Sequence, residues 1–422
     1  MSFILLLLYL FCTFIRPQDW VQGVLNWRLV NYLAIATVFF IFIERMGRGK
    51  VNLVRAPQNI LMVGFFGSIL MSHIAHHYFH GLIAAYSSFI VIFLLFFIVE
   101  NCINTERKFK IAVWFIVLLI SALVLQGIYQ FQHGYGWAGQ PIIIEGLKKT
   151  PRITWVGIFH DPNDLALTFA VASGIVLAFI FGRVNFFQRV AAMVLLGYLF
   201  YGIYLTNSRG GLLALMATVF FYAVIRSRKF FLGGVIGVLA AVAVFAFGPS
   251  REALLSAQEA SANERIQMWY QGILMLKSNP LFGVGYNMFT DELPLTAHNS
   301  YVLAFAELGL VGFFFWMALI YMSFKGLTLV ANYDERLRTY ALGLQSGLIG
   351  FCSAAFFLSR TYTILPYLIF ALSGSLIYIA KERNKELNVA FDSKDVRRTF
   401  FLCIGVLVLV YVLIKIGVKG SG

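Results

Sequence analysis

The sequence predicts an all-α fold: a polytopic transmembrane helical bundle of about 12–13 spans, with one large outer loop carrying short helices. Three observations predict it. The 422-residue chain is 60% hydrophobic and only 12% charged, whereas a soluble domain carries roughly 25% charged residues. Its mean hydropathy is +0.80. Apolar runs recur near the length of roughly 20 residues that a helix needs to cross a bilayer. The runs are continuous rather than alternating, which excludes a β-barrel.

In order, the apolar spans lie near 3–15, 29–43, 57–72, 82–99, 111–128, 164–182, 188–205, 211–225, 230–248, 301–324, 339–358, 363–380 and 399–416. The first is short enough to be partly interfacial, and the last is peripheral to the bundle. Met1-Ser-Phe-Ile lacks a basic stretch and a small-residue cleavage site, so the first run reads as a retained helix rather than a signal peptide. Residues 1–422 form one membrane domain, with 249–300 as a loop inserted between spans. Cys12, Cys102, Cys352 and Cys403 are far apart and form no CxxC, so free thiols are expected.

A net charge of +14 would suit nucleic acid, but the distribution argues against it. Lysines and arginines gather in short loops, as orientation signals do. With the N-terminus inside and spans alternating, the inner loops hold Arg45, Arg48, Lys50 and Arg55; Arg107, Lys108 and Lys110; Arg183 and Arg189; Arg226, Arg228 and Lys229; Lys325, Arg336 and Arg338; and Lys381, Arg383, Lys385, Lys394, Arg397 and Arg398. These are the majority of the 33 Lys and Arg. Two long loops, 129–162 and 249–300, then lie outside, and the charged block 381–398 lies inside. Within 249–300, Ser261-x-x-Glu264 is a capping-box pattern. Ile266, Trp269, Tyr270, Ile273 and Leu274 follow at helical spacing, and Asn279-Pro280 ends that helix.

An outer face needs few basic residues, which makes its arginines informative. Arg209 lies in the short Thr206-Asn-Ser-Arg-Gly-Gly211 turn, Arg265 in the large loop, and Arg360 in another short turn. A guanidinium offers a fixed fork of donors matching phosphate oxygens. The plainer alternative is snorkelling among lipid headgroups. His298, where the large loop re-enters the bilayer, suits a general base acting on a hydroxyl, or else caps the next helix. Asp161, in His160-Asp-Pro-Asn-Asp164, reads as an N-cap with Pro162 at the first helical position, and substrate contact is the alternative. Ser208 lacks a Gly-x-Ser-x-Gly setting, which argues against a nucleophile. His73, His76, His77 and His80 share one helical face, but no nearby carboxylate supports a metal, and an imidazole-rich turn is the simpler account. Gly283-Val-Gly285-Tyr-Asn287 follows no strand and reads as a turn with close backbone approach.

Four motifs, in order and spacing, carry a resemblance: Thr206-Asn-Ser-Arg-Gly-Gly-Leu-Leu213, Asn263-Glu-Arg-Ile-Gln-Met-Trp269, Asn279-Pro-Leu-Phe-Gly-Val-Gly-Tyr286 and His298-Asn-Ser-Tyr-Val-Leu-Ala-Phe-Ala-Glu-Leu-Gly309. Together with Phe159-His-Asp-Pro-Asn-Asp-Leu-Ala166, they resemble the O-antigen ligase and O-antigen polymerase superfamily over about 159–320. The resemblance implies an inverting, metal-independent glycosyltransferase without cofactor, multi-pass in the bacterial inner membrane, with its active site facing the periplasm. The implied donor is a glycan on undecaprenyl pyrophosphate. The implied acceptor is lipid A-core for a ligase, another lipid-linked glycan for a polymerase, and protein for some relatives. The family's periplasmic arginines and histidine map onto Arg209 and Arg265, for pyrophosphate, and His298, for catalysis. Arg360, Arg152, Asp161, Asn163 and Asn299 are weaker candidates for the same site. Ligase is favoured because one outer loop dominates and carries both Arg265 and His298. A transporter or flippase for the same lipids is the rival class. It would place ionisable residues mid-span, where this sequence has few. A histidine-based metal transporter would need further carboxylates in adjacent spans.

Overall fold

Every predicted span within the described residues falls on a helix. A computed structural model describes residues 1–47, 53–54, 56–145, 150–227, 255–387 and 389–420; the expected span 230–248, with Arg48, Lys50, Arg55, Arg228 and Lys229, lies outside them. Of the described residues, 77% are helical. The long helices are α1 (Ser2–Phe14), α2 (Leu29–Met46), α3 (Pro57–Ile74), α4 (Phe79–Cys102), α5 (Glu106–His133), α6 (Pro162–Ile180), α7 (Phe186–Thr206) and α8 (Arg209–Ser227). They continue with α9 (Leu255–Ser278), α10 (Ser300–Tyr333), α11 (Arg338–Ala355), α12 (Ile364–Arg383) and α13 (Ser393–Gly420). Among the described residues, nine helices are long and apolar enough to cross a membrane. The chain is a multi-pass membrane protein. Helix α1 has 13 residues, which at about 1.5 Å per residue falls short of a bilayer core.

Burial sorts the helices. Helices α6, α10 and α12 are largely buried, whereas α2, α7 and α13 are largely exposed, as lipid-facing helices are. Helix α11 packs on α6 and α8, and α10 packs on α3. The α6–α11 contact is made by glycines. A Cβ on Gly174 would lie 2.7 Å from the Gly343 carbonyl oxygen and 2.7 Å from the Gly347 nitrogen. Membrane helices gain little from apolar surface alone and depend on close backbone approach of this kind. All four cysteines are free.

Two local expectations need correction. Helix α9 begins at Leu255, not at the capping pattern of Ser261. The run Leu-Ser-Ala-Gln-Glu-Ala that precedes it is rich in good helix formers and extends the helix upstream. The loop 129–162 is also more structured than expected. Helix α5 continues to His133, and β1 (Ile143–Glu145) pairs antiparallel with β2 (Thr150–Arg152). Helix α9 does end at Ser278, just before Asn279-Pro280.

Candidate functional site

The loop that opens α10 is held under strain. His298 has φ 48°, a left-handed conformation uncommon for a residue with a side chain. Such strain persists only where neighbours over-determine it, and here they do. Trp269 Nε1 of α9 donates to the Ala297 carbonyl at 3.0 Å, and Thr296 Oγ1 bonds Ser359 Oγ at 3.0 Å. Asn299 caps α10, its side chain accepting the Tyr301 and Val302 N–H groups at 2.9 and 3.1 Å. Its buried Nδ2 has no partner among the described residues. Ser300 Oγ donates to the Leu358 carbonyl at 2.6 Å, and Thr361 Oγ1 donates to the Ser300 carbonyl at 2.8 Å. The histidine is thus clamped between α9 and the turn before α12.

That turn presents Arg360 to the start of α6. The Arg360 Nη2 donates to Asp161 Oδ2, and its Nε forms an ion pair with Asp164 Oδ1 without hydrogen-bond alignment. Asp161 does cap α6, accepting the Asn163 N–H at 2.8 Å, with Pro162 at the first position. Capping and a charged contact therefore coexist on one side chain. Asn163 joins three elements. Its Oδ1 accepts from Ser208 Oγ at 2.7 Å and from Arg152 Nη2 at 3.2 Å, and its Nδ2 donates to Asp161 Oδ1 at 2.9 Å. Arg152 also donates through Nε to the Thr206 carbonyl at 3.0 Å. Ser208 is thereby a buried structural hydroxyl. Arg209 is the first residue of α8, beyond Asn207 at φ 52°.

A second loop packs against α10. Helix α10 breaks at Gly309, where φ is 63°, and the segment 280–289 pairs with the break. The Val284 and Gly285 N–H groups donate to the Ala306 and Glu307 carbonyls, both at 3.0 Å. The buried Glu307 carboxylate accepts the Asn287 and Phe289 N–H groups, both at 3.0 Å. A Cβ at Gly283 would sit 2.3 Å from the Glu307 carbonyl carbon, which is the close approach expected of this turn. His73 Nε2 meets the Tyr286 carbonyl at 3.1 Å, and His76 Nε2 meets that of Gly283 at 2.7 Å. These two imidazoles dock α3 on the loop.

Electrostatics tie the parts together. His298 is half-buried, and its pKa is pushed below the ordinary imidazole value. Burial is the largest cause, and the Arg265 and Arg360 charges add to it, opposed by Asp161 and Glu264. Arg265 is lowered first by burial and then by the Arg209 guanidinium. Arg209, Arg265, His298, Arg360 and Asp161 therefore share one electrostatic neighbourhood, drawn from α8, α9, the α10 loop, the α12 turn and α6. Chemically it offers cationic donors beside a neutral imidazole that can take a proton. Arg152 and Asn163 sit behind Asp161 as support, and Asn299 is the helix cap. Sequence reasoning missed Glu307, Trp269 and Ser300 as organisers. The signal for Glu307 was present in Ala-Glu-Leu-Gly309, a carboxylate beside a glycine inside an apolar run.

Residues 191–317 match the protein-family model described as O-Antigen ligase. The match spans Arg209, Arg265, His298 and Glu307, and it supports the resemblance to the O-antigen ligase and polymerase superfamily. That family is of glycosyltransferase type and implies lipid-linked glycan substrates in a membrane setting. A search of curated proteins finds no match.

Proposed function

We propose that the protein transfers a glycan from undecaprenyl pyrophosphate to an acceptor hydroxyl at the periplasmic face of the inner membrane, as an O-antigen ligase acting on lipid A-core. The observation that carries this reading is the electrostatic coupling of Arg209, Arg265 and His298 across three separate elements. Two arginines brought together carry a mutual repulsion that a pyrophosphate would relieve, and their forks match its oxygens. His298, neutral at neutral pH, removes the proton from the acceptor hydroxyl. That oxygen then attacks the anomeric carbon of the donor sugar. The bond from this carbon to pyrophosphate breaks, the electron pair leaves with the phosphate, and the configuration inverts. Preorganised guanidinium groups in a partly dehydrated cleft stabilise the growing charge. Pyrophosphate is already a good leaving group, so the reaction needs neither a metal nor a general acid. The basic residues of the inner loops support the orientation.

The test supplies purified protein with lipid-linked glycan, lipid A-core and a lipid-linked repeat as competing acceptor. Glycosylated lipid A-core is the expected product. Joined repeats would instead make the protein a polymerase, and movement of donor across vesicles without transfer would make it a transporter.

A further inference from the structure

A cavity of about 400 Å³ lies between α4, α6 and the start of α12. Its volume is within the range of small-molecule sites, roughly 300–1,000 Å³. Val91, Ile92, Leu167 and Leu365 give it apolar walls, while Ser87 and Ser88 stand at its α4 side and Asp164 and Thr363 on the opposite side. Ser87 and Ser88 are exposed on the outer surface of α4, a helix apolar enough to span the membrane, so the cavity opens sideways toward lipid. Asp164 connects it to the site, because Arg360 pairs with both Asp164 and Asp161, and Arg360 and Asp161 both act on His298. The neighbours therefore succeed one another from Arg209 through Arg265, His298 and Arg360 to the cavity wall.

We infer that this cavity takes the aliphatic chain of the lipid-anchored acceptor, an inference resting on the glycosyl-transfer reading above. Charge decides between the two lipids. The cavity end of the succession has two carboxylates for one guanidinium, which leaves no surplus positive charge for a pyrophosphate and suits sugar hydroxyls. The donor phosphates belong at the other end, where the Arg209 charge acts on Arg265. His298 stands between, where a proton must leave an acceptor hydroxyl. An apolar slot at bilayer depth lets the acceptor's chain remain in lipid while its sugar reaches the imidazole.

The experiment compares wild type and Ser88→Phe, which fills the mouth of the cavity from an exposed position. The acceptors are lipid A-core and the same core stripped of acyl chains, and a benzophenone amino acid at position 88 reports which lipid lies there. The preference for the acylated acceptor should fall about tenfold in Ser88→Phe, through KM rather than kcat, and the benzophenone should crosslink lipid A-core. An unchanged preference overturns the inference. So does a rise in donor KM, or crosslinking to undecaprenyl donor, which would give the cavity to the isoprenoid. If wild type glycosylates neither acceptor while position 88 still crosslinks lipid A-core, the cavity assignment stands and the transfer reading falls.

Discussion

Replacing Arg360 by Met removes a cation that two carboxylates share while keeping the aliphatic bulk of the side chain. Arg360 is 18% exposed, Asp164 18% and Asp161 39%. Removing one partner of a buried ion pair costs roughly 3–5 kcal/mol, whereas an exposed pair contributes roughly 0–1 kcal/mol. Asp161 is exposed by more than a third, so its coupling to Arg360 should be at most about 1 kcal/mol. The Asp164 pair lies between the two limits and should couple by about 2 kcal/mol. Arg360→Met alone should then destabilise by about 3 kcal/mol, because both carboxylates lose their partner. The assay is a double-mutant cycle over Arg360→Met, Asp164→Asn and Asp161→Asn. Unfolding in mixed micelles is followed by tryptophan fluorescence, since Trp269 packs on the same loop. A coupling to Asp164 under about 0.5 kcal/mol, or one no larger than that to Asp161, would refute the ordering by burial.

Arg209→Lys and Arg265→Lys keep the charge but lose the bidentate fork; both should remain strongly impaired in glycan transfer at normal expression, and full activity in both would remove the phosphate role. His298→Ala should lower turnover by roughly 10²-fold or more while donor binding persists, and a near-normal His298→Gln would replace the base with a hydrogen-bonding role. Because burial and then the Arg265 charge lower the His298 pKa, the base form persists to lower pH than an ordinary imidazole allows; Arg265→Gln should raise that pKa and move the acid limb of residual activity to higher pH, and an unmoved limb would dissociate the limb from His298. Gly309→Ala would drive a Cβ to 2.4 Å from the Leu281 carbonyl carbon at φ 63°, so it should destabilise by about 1–3 kcal/mol and lower transfer, checked by unfolding and rate together. Single cysteines at Asp291 and Ser393 should label from outside and inside the cell respectively, and the reverse pattern would invert the proposed topology.

The spans were legible because a bilayer imposes one dominant rule, continuous apolar length, and α2, α4 and α5 obey it plainly. The ends were less legible where local rules compete. Ser261-x-x-Glu264 satisfies a cap, yet the helix formers of 255–260 carry α9 past it. The break at Gly309 was invisible because Leu308-Gly-Leu310 continues an apolar run, and only the opposing Pro280 and Leu281 carbonyls, which accept the Leu310 and Val311 N–H groups, reveal why the helix opens there. The histidines at 73 and 76 could be read as a metal face or as a turn, and the partners that settle their role are carbonyls more than 200 residues away. Arg360 looked weaker than Arg265 for the same reason. Its importance lies in contacts with Asp161 and Asp164, which no local pattern encodes.

Arg209, Arg265 and Arg360 are not equivalent, and the difference sets the site's polarity. Arg360 is already engaged by two carboxylates, so its charge is largely spent on holding α6 to the α12 turn. Arg265 is depressed by burial and then by the Arg209 guanidinium, a repulsion that an anion bound between them would relieve. His298 feels both ends, with Arg265 on one count and Arg360 with Asp161 on the other. An imidazole placed on such a gradient stays neutral as a base, and the imidazolium it becomes after taking a proton has Asp161 and Glu264 to temper it. If Asp161 serves this way, Asp161→Asn should leave the cap of α6 in place, since the side-chain carbonyl still accepts the Asn163 N–H, yet lower the His298 pKa further. The acid limb of transfer should then move to lower pH, opposite to the shift in Arg265→Gln. Shifts of the same sign in both variants would show that the limb reports on something other than the charge around His298.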